Sequence, residues 1–130
     1  MAVTNQVIQD SRWRTIQKTT WSGTNTNTLL LDVSGLLGWV TGSLVNIAAV
    51  SWSTSSALTL IWAGSSATDA IVISGNGSYG GSNGFPAIAN NAGTPTGDIN
   101  LTNASAAVGY LVIVCHKVET VVGQGGGWSA

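Results

Sequence analysis

No stretch of this chain repeats apolar residues at the three-and-four spacing of an α-helix, and that narrows the fold more than any motif does. Seventeen glycines and only two prolines punctuate the sequence. Between them lie short segments rich in Val, Ile, Leu, Thr and Trp, the pattern of strands and turns. Residues 12–21 alternate, placing Trp13, Thr15, Gln17, Thr19 and Trp21 on one face and Ile16 on the other. Residues 28–33 put Leu29, Leu31 and Val33 on a common side. Residues 44–53 carry apolar groups on both faces, which predicts a strand covered on both sides. Residues 57–63 align Leu58, Leu60 and Trp62; residues 69–74 align Ile71 and Ile73; residues 98–102 align Ile99 and Leu101. The strongest segment, 108–118, is almost continuously β-branched and aromatic. The expectation is an all-β, two-layer β-sandwich or jelly roll of about seven to nine short strands. An N-terminal arm (1–11), a sandwich domain (12–122) and a Gly-rich C-terminal tail (123–130) complete the division. Residues 75–97 read as a long ordered excursion anchored by Tyr79, Phe85 and Ile88, and such loops commonly carry contacts.

Charge is the scarcest property. Only 7% of the 130 residues are Asp, Glu, Lys or Arg, against about 25% in an ordinary soluble domain. Surfaces so poor in charge keep monomers apart weakly, which suits a subunit covered by its neighbours. A net charge of −1 gives no footprint for nucleic acid. Three of the four cations, Arg12, Arg14 and Lys18, fall in one segment. They read either as a basic strand facing an acidic partner or as solvated charges on an edge strand. No apolar run approaches the about 20 residues of a spanning helix. The first residues lack the features of a signal peptide, so synthesis in the cytosol is expected.

The residues of catalysis are sparse. Cys115 and the lone His116 are neighbours in one strand, so their side chains point to opposite faces and cannot form a dyad. Cys115 reads as a buried small hydrophobe and His116 as a surface or interface residue. The acids Asp10, Asp32, Asp69, Asp98 and Glu119 are scattered; Asp32 and Asp98 sit where a short acid can bond turn backbone. No zinc, calcium or phosphate motif is present. The expectation is no enzyme, no metal and no cofactor.

Six tryptophans are an excess. Trp52 and Trp62 read as core. Trp39 and Trp128, flanked by glycines, read as interface anchors. Exposed tryptophans stacking on sugar rings would instead make a glycan-binding module.

The segments Trp21-Ser22-Gly23, Leu31-Asp32-Val33-Ser34-Gly35-Leu36 and Ser55-Ser56-Ala57-Leu58-Thr59 resemble small virion proteins of tailed phages, especially those of marine bacteria. So do Gly75-Asn76-Gly77, residues 90–99 and Gly109-Tyr110-Leu111. The resemblance spans about residues 12–117 and rests on turn-forming motifs. It implies a structural part of the particle, a capsid decoration or cement protein on the outside of the head. Its partners would be its own copies, as a trimer, and the major capsid protein. The alternative is a tail- or fibre-associated protein with a receptor- or glycan-binding role. The candidate contact residues are Arg12, Arg14, Lys18, Trp39, Tyr79, Phe85 and Trp128.

Overall fold

A computed structural model describes residues 2–40, 42–81 and 85–118. It is all-β: five strands, β1 (Ala2–Asp10), β2 (Arg14–Leu31), β3 (Val45–Ser66), β4 (Thr68–Gly80) and β5 (Gly93–Lys117), and one 3₁₀ turn, Val33–Gly35. All pairings are antiparallel, in one sheet of order β1-β2-β5-β3-β4. Residues 2–10, within the segment set apart as an arm, are thus a paired strand. The C-terminal tail and Trp128 lie outside the described residues.

The strands are fewer and longer than the alternation predicts, because turn-like residues bend strands here instead of ending them. The widest register shifts fall at one level across the sheet. On β2 against β5 they lie between Gly23 and Thr28. On β3 against β5 one lies between Thr54 and Thr59, and on β3 against β4 one lies between Thr54 and Leu58. Gly75, opposite Thr54, has a φ of +60°, a conformation glycine adopts without penalty. Extra residues on one strand of a pair kink it and sharpen the twist. The four strands therefore share a corner.

The corner is clamped by polar side chains. Buried Asn103 accepts from the backbone N and from Nδ2 of Asn25, both at 3.1 Å, and donates to the carbonyls of Gly23 (2.7 Å) and Ser105 (2.8 Å). These bonds satisfy backbone groups that the broken ladder would leave unpaired.

On one side of the corner run β1, β2 from 14 to 23, β5 from 107 to 117, β3 from 45 to 54 and β4 from 75 to 80. On the other run β2 from 25 to 31, β5 from 93 to 103, β3 from 58 to 66 and β4 from 68 to 73. These are called the first and second halves below. Both contribute to a single core: Trp21, Ile47, Leu111, Ile113 and Cys115 from the first half join Leu30, Leu58, Leu60, Trp62, Ile99 and Leu101 from the second. Gln17, buried on the first half, donates to the Leu30 carbonyl of the second at 2.5 Å.

Alternation places most inward residues as expected: Thr15, Gln17, Thr19 and Trp21 are buried, as are Leu58, Leu60 and Trp62. Four expectations change. Leu30 and Leu31 are buried while Leu29 is exposed, because the β2–β5 register shifts between Leu29 and Leu31. In residues 44–53, Val45, Ile47 and Val50 all face the core. A shift between Ile47 and Ala49 reverses the alternation, so the two-faced pattern reflects a bulge rather than cover on both sides. The excursion shortens to 81–92, since residues 75–80 and 93–97 are strand. Trp13 leaves the inward row for the turn before β2, where it is 57% exposed.

Candidate interaction surface

The outer face of the first half is built by alternation. Because Leu111, Ile113 and Cys115 point inward, Val108, Tyr110, Val112, Val114 and His116 point outward. Register then sets Ile16 beside Val114, Lys18 beside Val112 and Arg14 beside His116. β2 is not the edge strand proposed for the basic segment, since β1 covers it; Lys18 pairs with Gln6 on that side. Val108 is 67% exposed and Tyr110 46%.

At one end of this face lies an open cleft of about 510 Å³, with Arg14 and His116 at its side, Ala49 and Val114 as floor, and Phe85 and Ala87 as wall. Arg14 is steadied by Nε, which donates to Gln9 Oε1 at 3.0 Å. Phe85 is held by its stack on Tyr79, with ring centroids 5.4 Å apart and planes at 18°. The Tyr79 hydroxyl donates to the Pro86 carbonyl at 2.8 Å. Tyr79 also packs against the core, so it positions Phe85. A backbone bridge between Ile47 and Ile88 closes the excursion onto β3.

A second exposed apolar group sits at the end of the sheet where β1 turns into β2. The Arg12 guanidinium lies 4.9 Å from the centroid of the Trp13 ring. On the neighbouring loop Leu37, Trp39 and Val40 are exposed. One buried cation ties the two loops together. Lys117 Nζ, its side chain 2% exposed, donates to Asp10 Oδ1 (2.7 Å) and to the carbonyls of Ser11 (2.6 Å) and Leu37 (2.7 Å). Asp10 Oδ2 in turn accepts from the Leu37 amide at 2.7 Å. Every proton of the ammonium is used, which is what makes its burial tolerable.

Of the candidate contact residues, the structure brings Arg14, Lys18 and Phe85 onto or beside the outer face of the first half, and sets Arg12 and Trp39 on adjoining loops at the sheet's end. The row of Ile16, Val108, Tyr110, Val112 and Val114 is the part that sequence reasoning left out. Its signal was the same alternation that marked Leu111, Ile113 and Cys115 as inward.

Cys115 and His116 face opposite sides of β5, the first buried and the second exposed. Cys115 is fully buried, and burial pushes its thiol up to about 12, so it is protonated at neutral pH. Among the described residues no three His, Cys, Asp or Glu side chains gather where they could hold a metal, and no helix is long and apolar enough to cross a membrane. Asp32 Oδ1 accepts from the Ser34 amide at 3.1 Å and Asp98 Oδ1 from the Val33 amide at 3.0 Å. Both serve the 3₁₀ turn. The chain matches no protein-family model, no curated protein and no solved structure.

Proposed function

We propose that this chain is a non-enzymatic virion structural protein, a capsid decoration or cement protein that acts as a homo-oligomer on a phage head and touches the major capsid protein. One observation carries the reading. Among the described residues eleven large apolar side chains are exposed, including Trp13, Trp39, Phe85 and Tyr110, while only three Lys or Arg side chains reach solvent. Apolar residues at such density without charges to separate copies mark surfaces that are covered in use.

The fold reading that goes with it is a two-layer jelly roll. The corner cuts β2 to β5 into eight segments that pass between the halves along the chain, except at the β3–β4 hairpin, where residues 58–66 and 68–73 stay in the second half, a passage between two sheets that suits a jelly roll. β1 is an added edge strand. The sequence resemblance to phage virion proteins points the same way. The mechanism is mechanical: the protein bridges capsid subunits across seams, and several weak contacts engaged at once give the avidity that holds it there.

The glycan-binding alternative gains less support. One face of the most exposed tryptophan, Trp13, already carries Arg12, and Asp10, the described acid nearest it in the chain, is engaged by Lys117. Quantitative protein analysis of purified particles tests the proposal. Many copies per head, together with weaker heat resistance of particles lacking the protein, is the expected result. A few copies confined to the tail would favour the receptor-binding alternative, and absence from particles would end both.

A further inference from the structure

The outer faces of the two halves differ in charge sign and match in apolar character. On the first half the outer face carries Arg14 and Lys18, with His116, around the row from Val108 to Val114, and none of the described carboxylates lies there. On the second half, register sets Leu29 beside Asn100, Ile61 beside both Asn100 and Asp69, and Thr59 beside Val72. That outer face thus presents Leu29 and Val72, 42% and 59% exposed, with the exposed carboxylate of Asp69, while Asp98 beside them is half-buried and bonded to the Val33 amide. Asp10, the one described acid of the first half, is engaged by Lys117.

We propose that the occupant of the first half's outer face is the second half's outer face of another copy of this chain, so that copies associate head to tail. The inference rests on the homo-oligomer reading above and names its contact. The smaller partner sets the area: the second half's four strands about 4.8 Å apart, with segments of about eight residues at about 3.3 Å each, give a face of roughly 500 Å², the size of a weak, reversible contact. A standard interface buries about 800 Å² per partner. Charge selects the geometry. A two-fold contact of the first half's face with itself would set Arg14 and Lys18 against the same cations of the partner, whereas the head-to-tail contact sets them against the face that carries Asp69. Such a contact is heterologous, and it ends in a closed ring where the rotation between copies permits.

The test is sedimentation velocity at low salt on three variants. Arg14→Glu with Lys18→Glu reverses one face and Asp69→Lys the other; all three positions are exposed. Each variant alone is expected to associate at least tenfold more weakly than the unmodified chain. A mixture of the two pairs the unmodified first face of Asp69→Lys with the unmodified second face of the double variant, and reversed face with reversed face, and is expected to recover association. A chain carrying all three changes is expected to recover it as well, which also shows that the substitutions leave the fold intact. Unchanged association of Asp69→Lys, or an unmodified chain that stays monomeric at every concentration, would overturn the head-to-tail contact. The particle analysis above is independent of this result, so the virion reading stands or falls separately.

Discussion

At the scale of single residues, the polar side chains that look idle in the sequence hold the backbone where the ladder breaks. Asn103 closes the corner and Asp98 caps the 3₁₀ turn from across the sheet. Asp98 also carries a pH signature. Burial raises its carboxyl above the ordinary 3.8, the Val33 amide pulls it back, and Asp32 nearby raises it again. A carboxyl raised in the folded state binds its proton more tightly there than in the unfolded chain. Stability is therefore lost as pH climbs from 3.8 through the folded value, and the loss stays constant above it. Asp98→Asn keeps an oxygen for the Val33 amide and cannot ionise. Its urea midpoint relative to the unmodified protein is expected to rise between pH 4 and pH 7. A difference that is flat across that range would mean that Asp98 is as well solvated folded as unfolded.

At the scale of elements, the corner decides the architecture, and it depends on close approach of backbones. A Cβ built on Gly109 would lie 2.4 Å from the Ser53 carbonyl oxygen and 2.9 Å from the Trp21 ring. Both neighbours belong to strands that flank β5, so neither can retreat without opening the sheet. Gly109→Ala is expected to cost about 3 kcal/mol by overpacking, read as a lower denaturation midpoint; an unchanged midpoint would show that the strands are loosely packed there. Position 109 also marks where sequence reading stops. Alternation within a segment was legible, so Leu58, Leu60, Trp62, Leu111, Ile113 and Cys115 could be assigned inward from the residues alone. Bulges were not, since Leu29 and Ala48 look like any other strand residues and only the partner strand reveals the shift. For the same reason the glycines near 23 and 75 read as strand ends, although the chain merely bends there.

At the scale of the whole molecule, the separation of charge by half was invisible in the sequence, because Asp69 reaches its face only through the register of β3 with β4, beyond a shift between Leu60 and Ile61. The result is a molecule with few charges, sorted by sign, over two faces that expose apolar side chains. Stability and association can then be separated by experiment. Val108 is 67% exposed and directed away from the core, so replacing it removes few internal contacts, and surface changes of this kind usually stay within about 0.5 kcal/mol. If that face is covered by another subunit, however, a lysine there replaces an apolar contact with a cation that must be desolvated inside it. Val108→Lys is therefore expected to leave the denaturation midpoint of the dilute protein unchanged while lowering the mass measured by light scattering at higher concentration. A loss of both together would assign Val108 to the folding of the single chain. A loss of neither would show that the apolar row faces solvent in the assembled state, leaving the Trp13 and Trp39 loops at the end of the sheet as the surface through which copies meet.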